Sequence, residues 1–211
     1  MRIICLLLCL VMTAAVGQAS AGVPVLLYHH VDYDASIYSV TPERLEKALV
    51  ITFDDGFADQ YTTAFPILIR YGMTAVFFVT VGEAGNSDHM SIDQMTTMAK
   101  TGMEFGSHTI THRLLPTLDD GALRDEVFQS RKVLAGMLGR PVTAFAFPGG
   151  NLDFRTVQSV RDGGYLLAFS TNVGLCTPNS ALYILPRIPV FSYTKGVLRE
   201  IEAAAATPFT L

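Results

Sequence analysis

Two short polar clusters carry the residue types from which a hydrolytic centre can be built. The first is Thr52-Phe53-Asp54-Asp55-Gly56. Two adjacent carboxylates repel when both are ionised and close, and a cation relieves that repulsion. One of the pair can then ligate a metal while its neighbour takes a proton from water activated by that metal. The same residues also read as an ordinary turn, since Asp and Gly favour turns. The second cluster is Ser107-His108-Thr109-Ile110-Thr111-His112. Histidines four apart can face the same way on a helical turn, which suits two ligands of one ion. A pair of surface histidines is the plainer reading, but with 5 histidines in the whole chain a close pair is not expected by chance. Together the clusters imply a two-histidine, one-carboxylate site with open positions, fitting zinc, iron or a related divalent ion.

Such a site needs elements that bring the clusters together. Short apolar runs at 23–28, 50–53, 74–79, 103–106, 143–147, 165–170 and 184–190 read as strands. Helical signals lie between them. Thr41-Pro42-Glu43 opens a helix with a cap and a proline at its first position. Pro66 and Gly72 bracket a short helix over 65–71. Ser91-Ile92-Asp93-Gln94 is a capping box for a helix reaching about Lys100. Leu123, Val127, Leu134 and Leu138 lie on one face of a long helix that stops at Gly139. Further helices are expected from Phe154 to Gly163 and through Glu202. Strands alternating with helices imply a parallel sheet, as a barrel or an open doubly wound sheet, with chemistry at the C-terminal strand ends. Asp54-Asp55, His108 and Pro148-Gly149-Gly150 each follow a strand directly, so they leave the sheet on one rim and can converge.

Composition narrows the class. The 211 residues are 50% hydrophobic and 16% charged, which excludes disorder and suits one domain with a filled core. The net charge of −4 without a basic run gives a nucleic-acid partner no electrostatic support. Arg2, the apolar stretch from Ile3 to Val16 and Ala19-Ser20-Ala21 read as a secretory signal peptide over 1–21, with the remaining 22–211 as one domain. Export to the periplasm or medium, with no stable membrane insertion after cleavage, is the expectation. Cys5 and Cys9 fall inside the leader, which leaves Cys176 unable to form an internal disulfide.

The motifs resemble those of the polysaccharide deacetylase family, the NodB-homology carbohydrate esterases. Thr52-Phe53-Asp54-Asp55-Gly56 is similar to that family's first motif, and Ser107-His108-Thr109-Ile110-Thr111-His112 to its second. Phe145-Ala146-Phe147-Pro148-Gly149-Gly150 is a variant of its third. The opening Val23-Pro24-Val25-Leu26-Leu27-Tyr28-His29-His30-Val31 resembles the branch that deacetylates poly-N-acetylglucosamine. The resemblance implies a distorted (β/α)7 barrel. It assigns Asp55, His108 and His112 as ligands of a divalent metal, most simply zinc, and Asp54 as the base acting on metal-bound water. A backbone N–H near Gly149 would help hold the oxyanion. The implied substrate is an N-acetylated polysaccharide: poly-N-acetylglucosamine, peptidoglycan or chitin oligomers.

The chain departs from the family's pattern in three places. Where the third motif commonly has an arginine that braces the base, this chain has Ala146, and Arg187 is the candidate to take over the task. Many members use a late histidine as the acid toward the leaving amine, and here no histidine follows His112. Asp54 returning its proton, or His29 or His30 from the first strand, would have to serve. Finally, the helix opened at Thr41 runs through Ala48 into Val50 without a loop residue, as though one βα unit had been deleted between Ala48 and Val50. An exported sugar-binding relic of the same fold is the alternative to an active deacetylase. A different metalloenzyme with the same triad has less support, because no phosphate cradle is visible.

Overall fold

A computed structural model describes residues 23–29 and 50–190. The leader, the helix expected at Thr41, the junction at Ala48, His30 and the helix expected through Glu202 lie outside these residues. Seven parallel strands form a closed barrel in sequence order: β1 (Val25–Tyr28), β2 (Val50–Phe53), β3 (Val76–Val79), β4 (Glu104–Ser107), β5 (Ala144–Ala146), β6 (Leu167–Val173) and β7 (Leu185–Pro189). β1 pairs directly with β2, with Val25 opposite Val50, and β7 closes the ring on β1, with Leu26 opposite Ile188. The ring is therefore complete, and the βα unit missing from the sequence pattern between Ala48 and Val50 is not needed to close it.

Alternation along the strands sorts side chains to the two faces of the barrel wall. Phe77 and Phe105 pack outward with Met95, Met98 and Met103, beneath α1 (Phe65–Arg70) and α2 (Ile92–Lys100). Phe145 and Phe147 pack outward with Leu123, Val127, Leu134 and Val160, beneath the long helix α3 (residues 120–138) and α4 (Phe154–Asp162). The inner cluster contains Val76, Phe78, Ala144, Ala146, Leu167, Phe169 and Leu185. Its alanines are small, and Gly106 can carry no Cβ without overlapping the Phe78 ring. That economy leaves room for the fully buried Arg187.

The expected caps are present: the Ser91–Gln94 capping box starts α2, and left-handed Gly139 ends α3. Two local features were not legible in the periodicity. Gln60–Ala64, leading into α1, and Asp125–Gln129, within α3, are each wound as a widened π-helical turn. Such turns insert a residue into the helical register and recur at functional sites.

Candidate active site

The polar clusters do meet at the C-terminal ends of β2 and β4. Asp54 and Asp55 would point to opposite sides if the strand simply continued. Instead Asp55 is left-handed, with φ 76°, and both carboxylates face one imidazole. His108 Nε2 lies 3.5 Å from Asp55 Oδ1 and 3.9 Å from Asp54 Oδ2, and His112 Nε2 lies 3.3 Å from Asp55 Oδ1. The other non-glycine residues of positive φ among those described are Thr109 (70°) and His112 (57°). All three belong to this site, where strained backbone is commonly concentrated.

Asp54 faces the barrel interior and is buried. Arg187, on β7, reaches inside the ring past β1 and grips it with both nitrogens: NH1 to Oδ1 and NH2 to Oδ2, each 2.7 Å. The guanidinium is fixed in turn by Nε donating to the Ser170 carbonyl at 2.9 Å and by the Phe78 and Phe169 rings, 5.7 and 5.8 Å away. The arginine nominated in place of Ala146 thus lies against the Asp54 carboxylate. Burial is the largest single influence on Asp54 and opposes its ionisation. The charges of Arg187, His108 and His29, with the Arg187 hydrogen bonds, outweigh it and hold the pKa below the ordinary carboxylate value.

His108 is buried, and its Nδ1 bonds the Ala146 carbonyl at 2.8 Å. Burial pushes its pKa down more strongly than the Asp54 and Asp55 carboxylates raise it, so the ring is neutral near pH 7. Since a carbonyl can only accept, Nδ1 carries the proton and Nε2 presents a lone pair. Asp55, His108 and His112 each offer a ligand atom, all within 4.8 Å of one another. Ligand atoms about 2.0–2.1 Å from a tetrahedral zinc lie about 3.3 Å apart, close to the 3.3 and 3.5 Å found here. The residues present therefore fit a divalent ion.

The histidine loop is held by its surroundings. Thr109 Oγ1 accepts from the His112 N–H at 3.0 Å, and Ser107 Oγ accepts from the Thr109 N–H at 3.2 Å while bonding Ser130 Oγ. Tyr165 OH joins that buried hydroxyl chain through Ser130. Gly149 stands on the exposed turn after β5, with φ 60°, and a Cβ there would lie 3.4 Å from Leu114 Cδ2 on the segment following His112. His29, at the end of β1, acts on Asp54 electrostatically.

Two supporting residues were missed from sequence. Gln60, buried on the first wide turn, donates to the Asp54 carbonyl at 2.6 Å and to the His29 carbonyl at 3.1 Å. Glu126, buried on the second, accepts from the Ile110 and Thr111 N–H groups at 2.8 and 3.0 Å. A carboxylate beside Val127 on the apolar stripe of α3 was the available signal for Glu126; Gln60 carried none.

A closed parallel barrel thus carries a buried, arginine-held carboxylate beside an Asp–His–His cluster on its rim. Residues 41–168 match the polysaccharide deacetylase family, and the chain belongs to it. YxkH of Bacillus subtilis is 28% identical over 203 residues, covering 82% of this chain and 73% of that one. The poly-beta-1,6-N-acetyl-D-glucosamine N-deacetylase of Staphylococcus aureus is 29% identical over 157 residues, or 68% of this chain, and the match spans only 54% of that enzyme. The Streptococcus pyogenes deacetylase PplD, solved with acetate, superposes with TM-score 0.75 at 25% identity, over 85% of this chain and 97% of its own. IcaB from Ammonifex degensii superposes with TM-score 0.72 at 24% identity, over 90% and 98%.

Proposed function

We propose that this protein is an exported, metal-dependent N-deacetylase of N-acetylglucosamine-containing polysaccharide. The observation carrying this reading is the convergence of Asp55, His108 and His112 beside an ionised, arginine-held Asp54. The named activity of the staphylococcal relative supports the substrate class, and the N-terminal segment supports export.

Asp55 Oδ1 and the Nε2 atoms of His108 and His112 would hold the ion. A divalent ion there, zinc by its donor set, would acidify water and polarise the acetamide carbonyl. Asp54 stays ionised because Arg187 faces it, so it is ready to take a proton from the attacking water. Ala146 keeps His108 in the tautomer that presents Nε2 to the cluster. The Gly149 turn would offer a backbone N–H to the oxyanion. As the carbon–nitrogen bond breaks, the leaving amine takes a proton from Asp54 or from His29. The products are acetate and a free amino sugar.

The test is acetate release from N-acetylglucosamine oligomers by the mature protein, with and without added zinc, beside Asp54→Asn. Poly-N-acetylglucosamine, peptidoglycan and chitin oligomers compared at equal acetyl concentration would rank the substrates. Zinc-dependent release that vanishes in the variant is the expected result. A folded, zinc-loaded protein that releases none from any of them is the sugar-binding relic instead.

A further inference from the structure

His108 and His112 are aimed by different means. The His108 ring is 2% exposed and tied through Nδ1 to Ala146. The His112 ring is 43% exposed and borne on a left-handed residue, so its direction follows from the backbone of the loop 109–112. Beside the Ser107 and Thr109 hydroxyls and the Val81 and Gly82 amides, which bond the loop's own N–H and C=O groups, one side chain from α3 reaches that backbone. Glu126 Oε2 accepts from two successive amides, Ile110 and Thr111, and Oε1 accepts from the Thr111 hydroxyl. Glu126 is buried, and it occupies the wide turn Asp125–Gln129. Glu126 lies next to Val127 on the buried side of α3, and its carboxylate meets the loop there.

Burying a carboxylate is costly unless its oxygens are satisfied, and here the donors come from the segment that ends in His112. We propose that Glu126 is the positioning residue for His112, holding the loop 109–112 in its strained conformation so that the imidazole meets the Asp55–His108 pair before any ion arrives. The inference rests on the metal-site reading above. Removing the clamp lets the loop relax, and the ion loses one pre-aimed ligand, while Asp54 and Arg187 are untouched.

The experiment is zinc affinity by chelator competition, with the absorption spectrum of the cobalt-substituted protein, for the wild type, Glu126→Ala, Glu126→Asp and Glu126→Gln. Groups that orient metal ligands are worth about 10- to 100-fold in affinity, and a loss in that range is expected for Glu126→Ala. Glu126→Asp withdraws the carboxylate by one methylene and should fall between Ala and the wild type, which keeps the test alive if the alanine variant does not fold. Glu126→Gln retains an oxygen for both amides and should stay near the wild type. At saturating zinc, the KM of folded variants for acetylated oligomers should be unchanged, and kcat should return. A folded Glu126→Ala or Glu126→Asp with wild-type zinc affinity and cobalt spectrum overturns the clamp alone. A wild type that binds neither ion overturns the metal reading and the clamp with it.

Discussion

Asp54 and Asp55 are chemically identical neighbours in opposite surroundings, and they divide the site into two sides. The Asp54 side is built inside the barrel from strand-borne groups: Arg187 from β7, Thr52 from β2, and the Phe78 and Phe169 rings. Its geometry is set by charge pairing and close packing. The Asp55 side is built on the rim from loops, with Asp55, Thr109 and His112 left-handed and the histidine loop's N–H groups donating to Thr109, Ser107 and Glu126. The first side sets a protonation state. The second aims lone pairs at one point. Substitutions on the two sides should therefore fail differently, one in chemistry and the other in metal retention.

The largest effects come from separating the two carboxylates. Asp54→Asn removes the proposed base and should lower kcat by about 10²- to 10⁴-fold with zinc content unchanged. Asp55→Asn should leave the purified protein depleted of zinc, with activity recovered in part by excess ion. Paired metal analysis and kinetics check both. Equal zinc in Asp55→Asn and the wild type would mean that the rim cluster is not the metal site, and the division of labour would collapse.

Next in size is the arginine. Removing one partner of a buried ion pair strands the other charge at a cost of about 3–5 kcal/mol. Arg187→Met should show a loss of that order in urea unfolding, and the remaining folded protein should have a base of raised pKa, seen as a rightward shift of the acid limb of its rate profile. Arg187→Lys keeps the charge but cannot form the two-pronged contact, so it should fall between. An Arg187→Met protein as stable as the wild type would show that the bidentate contact carries no net energy.

The two sides also differed in how far the sequence revealed them. The strand-borne side was readable, because the apolar runs located seven strands, and the resemblance, with Ala146 where a bracing arginine is common, nominated Arg187 on the last of them. The hydrogen bonds that shape the rim were not. Glu126 and Gln60 sit on the widened turns Asp125–Gln129 and Gln60–Ala64. A π-helical turn leaves no periodic trace, since it is itself a slip in the period. The left-handed conformations of Asp55 and His112 were equally hidden, because neither is the glycine that usually marks one.

Opposite ends of the pH scale should separate the sides by a smaller margin. The lowered pKa of Asp54 means that the unfolded chain binds more protons than the folded one in acid. The stability due to the Arg187 pair is present above the ordinary value of 3.8 and is lost as pH falls through the lowered folded value. Tyr165, at the foot of the hydroxyl chain under the histidine loop, behaves in reverse. Burial pushes its phenol to about 12 from 10.0, so its contribution is complete below 10.0 and is lost as pH rises toward 12. Urea midpoints measured across pH should show an acid decline that is shallower in Arg187→Met and an alkaline decline that is shallower in Tyr165→Phe. An alkaline limb unchanged in Tyr165→Phe would remove the phenol from the support of the rim.

The smallest effect should be at Gly149, and it tests whether that turn belongs to the rim or merely borders it. Alanine there keeps the backbone N–H, so a proposed oxyanion donor is not deleted. What changes is the cost of holding a Cβ-bearing residue at φ 60°, about 1–2 kcal/mol. The new Cβ would also sit 3.1 Å from Asn151 Nδ2 and 3.4 Å from Leu114 Cδ2. Both neighbours are side-chain ends that can yield a little. Gly149→Ala should therefore lose a little stability and keep most of its kcat. Losing one oxyanion donor outright costs about 10²- to 10³-fold. A fall of that size in a variant of nearly normal stability would mean that the small displacement of the turn moves the N–H off the reacting oxygen, and that the exposed side of the site tolerates no more error than the buried one.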